Sequence, residues 1–197
     1  MKKLYDDAAY QDVSFIFNGT GMKLEDPPTQ TMKISAHKHV LAQWPYFKSM
    51  FEGGFAESGE GAKQIQIKDV KPATFRLMIQ FMYMGYLVKE EEPKTVFTDA
   101  LENEEEASWE DIYVTAHLYD LEGLCQLAKT SIIRGLATEN AIPFLFRSAY
   151  LYGELRAPVV KYAATSCVSA IASKDFRSNY LTHPEFGALL HELFIEK

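Results

Sequence analysis

Two histidines one residue apart, His37 and His39, lie in the stretch ISAHKHVLAQWPYFKSMFEGGFAESGEG (residues 34–61). Imidazole nitrogens bind zinc or move protons, so the pair raises a metal reading and an acid–base reading together. Spacing argues against the metal. On a helix, side chains two residues apart project about 200° from one another, and only an extended segment aligns them. No cysteine or carboxylate stands at a useful spacing nearby, so no metal site is expected. Ser35-Ala36-His37-Lys38 fits the Ser-x-x-Lys nucleophile pattern, but its companion Ser-Asp-Asn and Lys-Thr-Gly elements are absent. His117 is a possible base with no nucleophile or orienting acid that the sequence pairs with it. Phosphate-cradling glycine motifs are also missing. No catalytic residue and no cofactor are expected, and an enzyme is the least favoured class.

The composition suits a folded globular domain. The chain has 197 residues, 47% hydrophobic and 13% aromatic, enough for a sizeable core in one domain or slightly more. A net charge of −7 disfavours nucleic acid, whose sequence-independent affinity needs clustered Lys and Arg. No apolar run reaches the roughly 18 residues of a membrane span, and no secretory leader is read at the N-terminus. Cys125 and Cys167 fall inside helical patterns, as small core residues of a reducing compartment. The expected location is intracellular, in cytoplasm or nucleus.

The elements that position these residues follow from periodicity. Val13, Phe15 and Phe17 alternate with Ser14, Ile16 and Asn18 as a strand, and Thr31–Ser35 forms a second after a turn-rich loop at 18–30. Helical segments are expected from His37 to about Trp44 and from Pro45 to about Glu52. A third strand spans 63–69. Pro72 opens a helix with Phe75, Met78, Ile79 and Met82 on one face, and Gly85 ends it. Residues 89–106 carry eight acids and two lysines and read as a solvated loop, or as a docking surface for a basic partner. From Ser108 onward the pattern is helical, with Ser108 and Asp111 as a cap pair. Apolar faces follow at Leu121, Leu124, Cys125, Ala128 and Ile132, at Ile142, Leu145, Phe146 and Ala149, and at Val160, Ala163, Ala164, Cys167 and Ile171. Pro158 is read as the start of that last helix, and a short helix closes the chain after Pro184. The expected class is α+β with an all-helical extension. Phe47, Met50, Phe51, Phe75, Ile79 and Leu124 are expected in the core.

Five pieces in order carry a resemblance: Asp12-Val13, Ala36-His37-Lys38 leading into Leu41, Phe47 to Phe51, Asp69-Val70 before Phe75, and Phe81-x-Tyr83-x-Gly85. Together they resemble the BTB/POZ domain across residues 10–136. Thr138-Glu139-Asn140-Ala141, the turn at Leu151–Leu155 and His183-Pro184 resemble the 3-box/BACK-like helices that follow this domain in speckle-type POZ proteins. The expected domains are therefore a BTB/POZ fold over 1–136, a small sheet on a helical cluster, and a helical extension over 137–197.

The resemblance implies a homodimer that acts as substrate adaptor for a cullin-3 ubiquitin ligase, with an unknown protein as its target. It assigns Phe55, Glu57 and Tyr83 to the cullin contact, and Leu4, Tyr5 and Val40 to the dimer interface. Asp12 and Lys38 become a structural charged pocket, and His37 a structural residue at the strand-to-helix junction. Three features depart from the speckle-type pattern. No MATH-like substrate-reading pattern is read in these residues, the dimerisation helix is read only as a stub holding Leu4 and Tyr5, and the acidic 89–106 segment is longer than the pattern's usual connection. The alternative is a structural or transcriptional oligomerisation scaffold that never meets a cullin.

Overall fold

The computed structural model describes residues 2–5, 7, 9–17, 32–53, 64–88, 91–93, 97, 106–171, 176 and 187–195. The chain falls into two compact units, Met1–Ala128 and Lys129–Lys197. The division lies inside a helix, ahead of the border after Leu136 that the sequence motifs suggest.

In the first unit, a four-residue helix α1 (Lys2–Tyr5) precedes β1 (Val13–Phe17). β1 is the central strand of a three-stranded sheet, antiparallel to β2 (Met32–Ala36) and parallel to β3 (Gln64–Ile67). Phe15 stands opposite Ile34 and Ile65 in this register. Val13, Phe15 and Phe17 are buried on one face of β1; on the other face Ser14 is buried between the flanking strands while Ile16 is half-buried, so alternation there is weaker than in β3. Ser14 is satisfied across the sheet by the Ser35 hydroxyl at 3.1 Å.

Helices α2 (Lys38–Leu41), α3 (Pro45–Glu52), α4 (Pro72–Met84), α5 (Trp109–Leu118) and α6 (Glu122–Arg134) follow. Pro45 and Pro72 occupy first turns, where a missing N–H costs nothing. Gly85 ends α4 with φ 77, a left-handed cap that returns its N–H to the Phe81 carbonyl. Ser108 and Asp111 form the expected capping box at α5. Phe15, Phe17, Phe47, Phe75 and Tyr119 form one aromatic cluster, with Phe75 4.8 Å from Phe15 and Phe47 stacked on Tyr119 at 5.5 Å.

Several boundaries differ from expectation. β2 starts and ends one residue later than 31–35. His37 is extended (φ −101, ψ 115) and caps α2, which is a single turn rather than a helix reaching Trp44. β3 stops at Ile67, and Asp69 turns the chain with φ 61. Phe47, Phe75, Ile79 and Leu124 are buried as expected, whereas Met50 and Phe51 lie toward the rim and are half-buried.

The second unit is helical. Asn140 links its first elements by accepting from Ala137 N–H and donating to the Gly135 carbonyl. Beyond it come α7 (Ala141–Arg147), a 3-10 turn (Ala149–Leu151), α8 (Gly153–Ser166), α9 (Val168–Ile171) and a last helix, Gly187–Ile195. α8 begins five residues before Pro158, which therefore lies inside the helix rather than at its start. The opening Gly153-Glu154-Leu155-Arg156 turn contains one apolar residue, too few for periodicity to reveal it. The faces at Ile142, Leu145, Phe146 and Ala149 and at Val160, Ala163, Ala164, Cys167 and Ile171 are buried as read. An Arg156–Glu192 ion pair at 3.2 Å joins α8 to the last helix.

Candidate functional site

The chemistry-bearing residues of the opening stretch meet where β2 turns into α2. His37 is 1% exposed, and its backbone N–H donates to the Tyr83 hydroxyl at 2.8 Å. Its ring Nδ1 lies 2.7 Å from the same hydroxyl, and Nε2 lies 2.9 Å from the Ala9 carbonyl. A carbonyl only accepts, so Nε2 carries the hydrogen, and the Tyr83 O–H donates to Nδ1. Every polar atom of the junction has a partner in this arrangement. Both imidazole nitrogens of His37 are thus occupied, and no group of three potential metal ligands occurs among the described residues.

Asp12 and Lys38 are joined differently from a side-chain ion pair. The Asp12 carboxylate accepts from the backbone N–H of Lys38 at 2.7 Å, while the Lys38 ammonium lies over the Phe51 ring, 5.6 Å from its centroid. The carboxylate thereby satisfies one of the orphan N–H groups of a helix that lacks a side-chain cap from His37. Lys38 covers the half-buried Phe51 from solvent.

Tyr83 lies on α4 at 4% exposure, with its ring edge-to-face against Tyr5 of α1 at 5.5 Å. Burial raises its phenol pKa above the ordinary value; the His37 N–H pulls it down, and the Asp12 charge adds to the rise. Leu4 and Tyr5 are half-buried on α1, and Val40 is buried within α2 at 3% exposure. Phe55 and Glu57 lie outside the described residues, beyond the end of α3 at Glu52.

Sequence reasoning placed His37 at the junction but not its partner. Tyr83 is 46 residues away, and no spacing rule connects the two. Gln80 was missed as well. It is 1% exposed on α4, accepts from Val88 N–H at 3.0 Å and donates to Glu91, tying the stretch after α4 back to the helix. A glutamine in an otherwise apolar face was the signal available.

In the first unit a small sheet packs with helices, and the polar groups of the β2–α2 junction join distant segments of the chain. The chain belongs to the BTB/POZ domain family, whose model matches residues 3–136. That domain is a protein–protein interaction domain and generally non-enzymatic. Similar curated proteins include the "BTB/POZ and MATH domain-containing protein 6" of Arabidopsis thaliana, 27% identical over 88% of this chain and 40% of the relative. The "TD and POZ domain-containing protein 2" of Mus musculus is 26% identical over 92% of this chain and 43% of the relative. The "Kelch repeat and BTB domain-containing protein 8" of Danio rerio is 24% identical over 100% of this chain and 28% of the relative. The chain thus spans less than half the length of each of these three relatives. No described helix is long and apolar enough to cross a membrane.

Proposed function

We propose that the chain is a self-associating adaptor that brings a protein target to a cullin-3 ubiquitin ligase. The observation that carries this reading is the α2–α3 pair. Leu41 and Phe47 anchor it in the core at 0% exposure, and Phe55-Ala56-Glu57 follows three residues after its end. In this reading Phe55 fills an apolar groove of the cullin and Glu57 pairs at its rim. Tyr83, enclosed beneath the α2 junction, holds the supporting layer. The 3-box-like helices after residue 136 extend the same function. Relatives aligned over 88–100% of the chain support their belonging with the BTB/POZ region.

The test is calorimetry of the full chain against the N-terminal domain of cullin-3. Phe55→Ala is expected to weaken binding roughly 30-fold or more, and Glu57→Ala by a smaller factor, as for an anchor and a rim charge. Circular dichroism checks that both variants remain folded. Equal binding by wild type and Phe55→Ala removes the motif from the contact. A wild type that does not bind replaces the ligase reading with the oligomerisation scaffold.

A further inference from the structure

We propose that the free edge of β2 is a strand-addition site for an extended acidic segment of a partner protein. The proposal rests on the sheet alone and not on the cullin reading. In the three-stranded sheet, β2 is hydrogen-bonded on one side only, to β1. Among the described residues, no further backbone hydrogen bond engages residues 32–35. Such an edge leaves N–H and C=O groups with which another extended chain can continue the ladder.

The side chains along this edge state what would pair with it. Ile34 and Ala36 are buried on the core face, and Met32, in step with them, is 42% exposed. Arg76, exposed on the helix α4 that packs on β2, reaches the Met32 sulfur at 3.9 Å. On the opposite face Lys33 is exposed beside half-buried Ser35. Among the described residues, neither Lys33 nor Arg76 has an ion-pair partner. Each face of the edge therefore carries one uncompensated cation, and the core face adds an apolar contact. These charges select the occupant. Two copies pairing β2 to β2 about a two-fold axis would bring their Lys33 side chains together and join two chains of net charge −7. A strand that alternates carboxylates with apolar residues instead sets an acid opposite Lys33 and an apolar side chain against Met32. Arg76, at the border of that apolar contact, adds a more distant attraction.

The test is an NMR titration of the full chain with a short capped peptide of alternating glutamate and valine. Amide shifts are expected to centre on residues 32–36 and to leave residues 64–67 of β3 unchanged. Lys33→Glu should weaken binding roughly fivefold or more, and Arg76→Glu by a smaller factor. Both side chains are exposed, so the variants should keep the wild-type spectrum away from the edge. Backbone pairing is read with two further peptides, one N-methylated at every valine and one at every glutamate. One of the two should bind roughly tenfold or more weakly than the parent, because the amides of only one set face β2. A peptide with lysine in place of glutamate should not bind. No shifts at millimolar glutamate–valine peptide, shifts centred on β3, or equal binding by the lysine peptide each overturns the proposal. So does unchanged affinity in Lys33→Glu, or parent-like binding by both N-methylated peptides.

Discussion

Phe75 is fully enclosed between Phe15, Phe17 and Tyr119, so its removal leaves a cavity that three rigid rings cannot readily close. Phe75→Ala is expected to lower unfolding free energy by about 3–5 kcal/mol in denaturant melts. A loss under about 1 kcal/mol contradicts that packing role. Tyr119 makes a different, pH-dependent prediction. Burial, followed by the neighbouring Tyr46, pushes its phenol well above the ordinary range. The folded state therefore keeps a proton that the unfolded state loses above about pH 10. Its stabilising contribution is complete below that pH and declines as pH rises further. Stability measured across pH 9 to 11, roughly, should fall less steeply in Tyr119→Phe than in the wild type. Parallel slopes count against this explanation.

The helices depend on a few terminal groups. Asp111 accepts from Ser108 N–H at 2.9 Å, Ser108 O–H at 2.8 Å and the Lys71 ammonium at 3.1 Å. Its own N–H returns to the Ser108 oxygen at 3.1 Å. This cap fixes the start of α5 and ties it to the residue before α4. Ser108→Ala should cost about 1–2 kcal/mol, read as a lower urea midpoint with an unchanged slope. At the end of α4, an added Cβ on Gly85 meets no atom within 4 Å. Any cost of Gly85→Ala is therefore conformational, about 1–2 kcal/mol for the left-handed backbone. A neutral Gly85→Ala argues that this turn relaxes at no cost.

Self-association concerns the complete chain, and the single-chain burial of Val40 changes how it must be tested. At 3% exposure, Val40→Asp would bury a charge in its own protomer, confusing unfolding with dissociation. Leu4, half-buried on α1, is the better probe. In a two-fold interface one substitution enters twice. Leu4→Glu should therefore shift light scattering toward the monomer with circular dichroism unchanged. A wild type that is monomeric at high micromolar concentration rules out this dimer.

Local signals made much of the fold legible. Period-two alternation marked β1 and β3, apolar helical spacing marked α4 and the later helices, and Pro45, Pro72, Gly85 and Ser108 marked their ends. Those features arise within a few residues, where backbone geometry and solvent exposure act directly. The ordered BTB/POZ motifs added the family and its expected interaction role. Tertiary structure decided what depends on segments distant in sequence. It made β1 the central strand, placed Tyr83 against His37, and directed the Asp12 carboxylate to a backbone N–H instead of the Lys38 ammonium. Hydrogen-bond partners that lie 26 to 46 residues apart are chosen by how the whole core packs, which no local period records.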